Sequence, residues 1–324
     1  MKVTVVIPNY NGKHFLKACL DSLAAQRYRD FETLIVDNAS SDGSIQFIEE
    51  NYKNVTLMKM DKNYGFCGGV NIGIKAANTE YVLLLNNDTE VDENFVEYMV
   101  KAIEKSDKIF SVSSRMVNFY KRDIMDDAGD SYNLFGWGAQ RGVGQPNRRY
   151  DRACKVFSAC GGAAIYRKSV FEEMGYFDEN HFAYLEDIDV GYRAKTRGYI
   201  NTYEPKAIVY HVGSGTTGSK YNSFKVRMAA RNNVYVIYKN MPLLQLLVNL
   251  PFLVLGYIIK IAFFARKGFA KEYFSGLFEG IKTAHKLKKQ KFRWKNIGSY
   301  IIIEFELLIN TVIYFVDYIR RRIK

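Results

Sequence analysis

Tyr81-Val-Leu-Leu-Leu-Asn-Asn-Asp-Thr89 runs five apolar residues directly into three polar ones. The apolar part does not alternate, so both of its faces need cover. A strand of that kind sits inside a parallel sheet with helices above and below it. Toward the chain start the same rhythm repeats. Gly68–Ala77 has helical spacing, Val55–Met58 reads as a strand and Ile45–Tyr52 as a helix. Phe31–Val36 is a strand, and His14–Ala25 a helix with Phe15, Leu16, Cys19, Leu20 and Leu23 along one side. Val3–Ile7 is a strand stopped by Pro8. Such alternation predicts an α/β fold. Toward the chain end, a helix is predicted near Val91–Lys105 and a small, apolar segment at Ser158–Ile165. Helices follow at Lys168–Met174 and Leu185–Arg197, then a short strand at Ala207–Tyr210 that delivers His211. Residues 119–157, which include Trp137, read as loops or short strands over the site.

Ligands of open α/β sheets bind beyond the carboxyl ends of the strands. The polar clusters after Ile7, Val36 and Leu85 all fall there, so the topology gathers them at one mouth. Asp88 suits a hard divalent cation, Mg²⁺ or Mn²⁺, which takes one or two carboxylates plus waters and substrate phosphates. The plainer reading is a cap for the next helix. Asp37-Asn38 could accept from a base imide or a ribose hydroxyl, or only begin an Asx-turn. Tyr10 could stack on that base, or only pack. Asn63–Gly73 is rich in glycines that let backbone approach a ligand. It is not a GxGxxG fingerprint and lacks the lysine of a P-loop. In Glu186-Asp187-Ile-Asp189 a helix N-terminus favours negative charge, so Asp187 is expected to be ionised near neutral pH and to serve as a general base. Asp189 faces away from it and is expected to hold Arg193 four residues on. His211 is either a metal ligand through a neutral imidazole or a structural histidine.

Apolar residues make up 48% of the 324, which excludes wholesale disorder. Four cysteines show neither a CxxC pair nor zinc spacing, as expected for reduced thiols in a cytosolic compartment. The first apolar run ends at Pro8, too soon for a signal peptide. Charge is uneven. Residues 220–324 hold 20 Lys/Arg against 5 Asp/Glu, while the other 219 residues hold 26 and 29. The boundary is placed at 222/223: a catalytic domain over 1–222 and a basic helical region over 223–324. Leu243–Phe264 is apolar but interrupted by Asn249, Pro251 and Lys260; Ile301–Ile319 carries Glu304, Glu306 and Asp317. Neither is a clean span of ~20 uncharged residues. Amphipathic helices lying on an anionic membrane surface are expected, with packing on the catalytic domain or on a second subunit, or a true span, as the alternatives. Bulky residues in long apolar runs argue against nucleic acid as the partner.

These motifs, in this order over about residues 2–216, resemble the family-2 inverting glycosyltransferases, in their rhamnosyltransferase-like branch. The resemblance implies a GT-A fold: a Rossmann-like, mixed and mainly parallel sheet flanked by helices. It implies transfer of one sugar, with dTDP-rhamnose as the first expectation and a UDP-hexose or UDP-N-acetylhexosamine as the alternative. The acceptor is expected to be a lipid-linked or cell-surface glycan on the cytoplasmic face of the membrane. Donor contacts are implied at Pro8, Tyr10, Asp37, Asn38, Asn63, Gly69, Asn71, Asn87 and Asp88. Acceptor contacts are implied at Trp137, Cys160, Gly161, Gly162 and Glu186, the base at Asp187, and the metal on Asp88 and His211. Asn86 stands where the family's metal motif has its first aspartate. No Gln-x-x-Arg-Trp motif is expected after the acidic pair, which favours a single addition over a polymerase.

Overall fold

The computed structural model describes residues 1–213 and 221–322. Ser214-Gly-Thr216, read from sequence as the stretch beyond His211, and the tail's start at Lys220 lie outside the described residues. The first half alternates as expected: β1 (Val3–Asn9), α1 (Lys13–Ala24), β2 (Phe31–Asp37), α2 (Ser44–Asn51), β3 (Thr56–Lys59), α3 (Gly65–Ala76), β4 (Tyr81–Leu85), β5 (Thr89–Val91) and α4 (Phe95–Ile103). The second half opens with β6 (Ile109–Asn118) and four short strands, β7 (Met125–Asp127), β8 (Asp130–Tyr132), β9 (Gly138–Gln140) and β10 (Cys154–Val156). Then come β11 (Ala163–Arg167), α5 (Lys168–Met174), α6 (Glu186–Lys195) and β12 (Ile200–His211). The C-terminal helices are α7 (Ser223–Asn240), α8 (Leu243–Arg266), α9 (Ala270–Thr283) and α10 (Ile297–Arg322).

The main sheet runs β10-β12-β6-β11-β4-β1-β2-β3. β1 to β4 are parallel neighbours, β11 is antiparallel between β4 and β6, and β12 is parallel to β6. The unalternated apolar strands have their physical cause in two cores. Val3, Val5 and Ile7 of β1 face α1, α2 and α4; Val6 faces α3, α5 and α6. In β4, Leu83 and Leu85 go to the first core, Val82 and Leu84 to the second.

The C-terminal helices rest on the short-strand region. Tyr132, Leu134, Phe157, Ile188 and Tyr192 share a third core with Val236, Met241, Leu253, Ile303 and Leu307. The polar residues that interrupt the two apolar runs turn inward. Gln245 and Asn249 both donate to Glu304 Oε2 at 2.9 Å, and Lys195 donates to Glu306 at 2.8 Å. What is left outward is apolar. Leu247 and Phe305 are 57% and 62% exposed, and Leu244, Leu255, Ile258, Ile302, Ile309 and Val312 accompany them. By length and composition α8 and Trp294–Arg320 could each cross a membrane, with mean hydropathy 2.1 and 1.6. Yet Gln245, Asn249, Leu253 and Gly256 form one buried stripe along α8, so that helix lies on the body rather than apart from it.

Candidate active site

Three strands, β1, β2 and β4, bring their carboxyl ends together here. Asn9, at the end of β1, donates from Nδ2 to Asp37 Oδ2 at 2.7 Å and accepts at Oδ1 from Asn87 Nδ2 at 2.7 Å. Asp37 also accepts from the Ser40 amide at 2.8 Å and is fully buried. The carboxylate read as a base contact is thus the anchor of the following turn. Asn9 was missed as a site residue, because its role depends on two other strand ends. Pro8 is half-buried and Tyr10 is exposed beside this network. Asn38 lies over the start of α3: its amide donates to Gly65 O at 3.3 Å, and a Cβ at Gly69 would press on it. Asn63 Oδ1 accepts from the Gly65 amide at 2.8 Å. Asn71 is bound to Phe177, donating to its carbonyl at 2.8 Å and accepting from its amide at 3.0 Å. Of the residues named from sequence for the donor, Asn71 is therefore held by protein on both ends of its amide.

Asp88 and His211, 123 positions apart, meet because β5 pairs antiparallel with β12, with Thr89 opposite His211. His211 Nε2 lies 3.2 Å from Asp88 Oδ1, and His211 Nδ1 lies 2.7 Å from Asp126 Oδ2. Asp126 was missed by sequence reasoning. It is the unpaired residue of a β-bulge, where Met116 faces Asp127 and Val117 faces Met125. Burial alone would favour a neutral ring; the hydrogen bonds to Asp126 and Asp88 overcome it and raise the His211 pKa to about 10. Asp88 and His211 would supply one oxygen and, once a cation displaces the proton from His211 Nε2, one nitrogen ligand at one point, while Asp126 orients the ring from behind. That donor set fits a hard divalent cation completed by phosphate and water. A second cluster, Asp130, Cys160 and Asp187, brings ligand atoms within 4.8 Å of one another. Burial pushes the Cys160 thiol well up, and a neutral sulfur does not suit Mg²⁺ or Mn²⁺.

Asp187 joins this mouth through two adjacent residues. The Gly161 amide donates to Asp187 Oδ1 at 3.0 Å, and Gly162 O accepts from the Asn86 amide at 2.8 Å. A Cβ at Gly161 would crowd Asp187 Oδ1, so only glycine lets the amide reach it. The helix N-terminus is expected to keep Asp187 ionised near neutral pH, but the surroundings in the structure shift its carboxyl the other way. Burial, and next the charge of Glu186, push its carboxyl well above the usual range. Burial also raises Glu186 to about 7, and Glu186 Oε2 has no hydrogen-bond partner among the described residues. A helix N-terminus contributes less than ~2 kcal/mol, and desolvation of a carboxylate outweighs it here.

Asp189 behaves as expected and more. It takes Arg193 Nε at 2.9 Å, and also Lys239 Nζ at 3.0 Å and Asn240 Nδ2 at 2.8 Å, both from α7. Burial would raise its pKa, but Lys239 and Arg193 hold it far below the ordinary carboxylate range.

Trp137, expected at the acceptor, is a packing residue under the C-terminal helices. It stacks on Phe135 at 5.0 Å and donates from Nε1 to Gly256 O at 3.3 Å. The absence of a Gln-x-x-Arg-Trp motif also needs correction, since Gln290-Lys-Phe-Arg-Trp294 matches it in the tail. Gln290 Oε1 accepts from Arg197 at 3.0 Å, past the far end of α6, and Trp294 is 77% exposed. A helix the length of α6 is ~15 Å long, so this motif is remote from Asp187.

The segment just before Asp187 is strained. Phe182, Tyr184 and Leu185 all have positive φ, at 63°, 75° and 63°. Such residues cost on the order of 1–3 kcal/mol each and persist where surrounding structure holds them.

Comparison with known proteins agrees with this geometry. Residues 4–175 match the family described as glycosyl transferase family 2. The poly-beta-1,6-N-acetyl-D-glucosamine synthase of Staphylococcus epidermidis is 26% identical over 230 residues, covering 70% of this chain and 53% of the relative. The chain thus spans about half the length of the curated relatives it matches. Staphylococcus aureus TarS 1-349 in complex with UDP-GlcNAc superposes with a TM-score of 0.60 at 18% identity, covering 88% and 81% of the two chains. The Pyrobaculum calidifontis mannosyltransferase PcManGT in complex with GDP-Man and Mn²⁺ gives 0.53 at 15% identity, covering 88% and 87%. The fold is therefore GT-A, and with more than half its length inside the matched family, this chain belongs to glycosyl transferase family 2.

Proposed function

We propose that the protein transfers an N-acetylhexosamine from a UDP-sugar to a glycan or lipid-linked acceptor at a membrane surface, with inversion. One observation carries the chemistry: Gly161 and Gly162 tie Asp187 to the Asn86–Asp88 strand end where His211 and Asp126 converge. A general base and a seat for a divalent cation on Asp88 and His211 then face one donor. In the reaction, the acceptor oxygen forms a bond to the anomeric carbon while the bond from that carbon to the diphosphate oxygen breaks. Asp187 receives the acceptor proton, and UDP departs with the bonding pair. Mg²⁺ or Mn²⁺ would supply positive charge to the departing diphosphate. Inversion follows from a single displacement.

The choice of sugar rests on the relatives. The staphylococcal synthase is named for N-acetyl-D-glucosamine, and the TarS structure holds UDP-GlcNAc. The dTDP-rhamnose expectation finds no such support and gives way to the UDP-hexose alternative. The remoteness of Gln290–Trp294 from Asp187 supports a single addition. A thermal-shift comparison tests the donor. With Mn²⁺ present, UDP-GlcNAc or UDP-GalNAc at ~100 Kd stabilises by about 2.7 kcal/mol, a rise of roughly 4 °C for a protein this size. A larger shift with dTDP-rhamnose or GDP-mannose would overturn the assignment.

The membrane part rests on the outward apolar faces of α8 and α10 and on Lys286, Lys288, Lys289, Lys291, Arg293 and Lys295, which lie between α9 and α10 with no acidic residue among them. An apolar face edged by cations and an exposed Trp294 fits an anionic leaflet. The double variant Leu247→Asp/Phe305→Asp removes apolar area without touching the inward side of either helix. Its binding to phosphatidylglycerol vesicles falls by about tenfold or more. Unchanged pelleting, together with a change in oligomeric state, would assign this face to a homodimer instead.

A further inference from the structure

The backbone before Glu186-Asp187 is held in its strained form by side chains of α7, Asn232 above all. Phe182, at φ 63° and ψ −59°, centres a three-residue turn closed by the Ala183 amide on His181 O at 2.7 Å, the rarer and more strained hand of that turn. Tyr184 and Leu185 then take left-handed φ before α6 begins. Asn232 of α7 is fully buried, and its Nδ2 reaches the carbonyls of His181, Ala183 and Tyr184 at 2.9, 2.8 and 2.8 Å. Its Oδ1 accepts from Arg231 Nε at 3.0 Å, and Arg231 Nη2 adds bonds to the carbonyls of Asn180 and His181 at 2.8 and 3.0 Å. The loop's outer side is tied to the donor side of the cleft. The Cys67 amide donates to Phe182 O at 3.1 Å, and the Phe182 ring lies on Gly65, itself at φ +73°. On the other flank of Asp187, Lys239 and Asn240 of the same α7 hold Asp189.

We propose that Asn232 is a positioning residue: its carboxamide locks the 181–185 turn and so sets where the Asp187 carboxylate sits relative to the bound donor. The inference rests on the assignment of Asp187 as base. The physical argument is one of place. An extended turn with ordinary φ at Tyr184 and Leu185 would direct α6 elsewhere, and three carbonyls pointing at one spot would repel one another without a shared donor. Asn232 supplies that donor from a helix outside the sheet, so the region read as a tail helps build the catalytic centre.

The test uses the full chain and Asn232→Ala. UDP release from UDP-GlcNAc with Mn²⁺ is expected to fall on the order of 10²-fold, as for a misplacement of about 1 Å. The Kd for UDP with Mn²⁺ is expected to stay within about threefold, since Asp88, His211 and Asn38 are untouched. Hydrogen exchange of amides 182–189 is expected to speed up while that of β1 and β4 stays at the wild-type rate. The exchange result holds whatever sugar the enzyme uses. If the wild type leaves UDP-GlcNAc intact, the donor assignment fails while exchange still decides on Asn232. Wild-type exchange over 182–189, wild-type turnover, or a uniform loss of exchange protection and UDP binding across the protein would each overturn the positioning role.

Discussion

Asp187→Asn lowers sugar transfer by about 10²–10⁴-fold and leaves UDP and Mn²⁺ affinity near the wild-type value. The expected split follows from where Asp187 sits. It accepts the Gly161 amide and neighbours Glu186, but it makes no bond to Asp88, His211 or Asn9. An asparagine keeps the shape and its oxygen still accepts from Gly161, so the fold and the donor seat persist while proton acceptance is lost. The pH dependence sharpens the test. Burial and Glu186 raise the Asp187 carboxyl, so the ionised form needed to take a proton gains population as pH rises. The wild-type acid limb should therefore lie above the range of an exposed aspartate, and transfer should increase with pH through it. In the variant that limb disappears along with the rate. Near-wild-type transfer by Asp187→Asn, or a parallel loss of UDP affinity, would remove Asp187 from the base role.

The sheet was legible because burial on both faces leaves a simple trace: Tyr81–Leu85 and Val3–Ile7 match β4 and the core of β1 almost residue for residue. Asp88, Asp187 and His211 were legible as chemistry, but that Asp88 meets His211 followed from the family resemblance and from no local signal. The meeting depends on β5, three residues with no strand signal of their own, pairing with the end of β12. Asp126 was hidden for the same reason, since a bulge is defined by the partner strand. The 222/223 division came from charge, and charge counts cannot distinguish a solvated lysine from Lys239, which is buried between Asp178 and Asp189. Glu304 and Glu306 looked like breaks in an apolar run; they are the inward contacts that let the outward side be apolar. Asn232 gave only a weak sign, an Asn-Asn pair inside a helix, where asparagine is a poor helix former without a tertiary reason.

Asp88→Ala should give the opposite signature to Asp187→Asn: affinity for UDP in the presence of Mn²⁺ falls on the order of 10²-fold or more, and the added stabilisation by Mn²⁺ is lost. Asp88 is nearly buried, and the first position of the family's metal motif is Asn86, so no neighbouring carboxylate in that stretch takes over. His211 would remain, but with one of its two carboxylate partners gone it binds a cation through a single nitrogen. Asp126→Asn separates ligand from orienter. His211 Nδ1 keeps an oxygen partner, yet the charge behind the ring is gone, and a loss of about 10–100-fold is expected. The ordering Asp88→Ala below Asp126→Asn below wild type in Mn²⁺-dependent UDP affinity, measured by calorimetry at fixed pH, is what a cation on Asp88 and His211 requires. Equal UDP affinity with and without Mn²⁺ in the wild type, or a full Mn²⁺ response in Asp88→Ala, would place the diphosphate on other residues. Asp187 would then face the donor without a cation opposite it, and the rate of the Asp187→Asn protein would be the only remaining measure of the site.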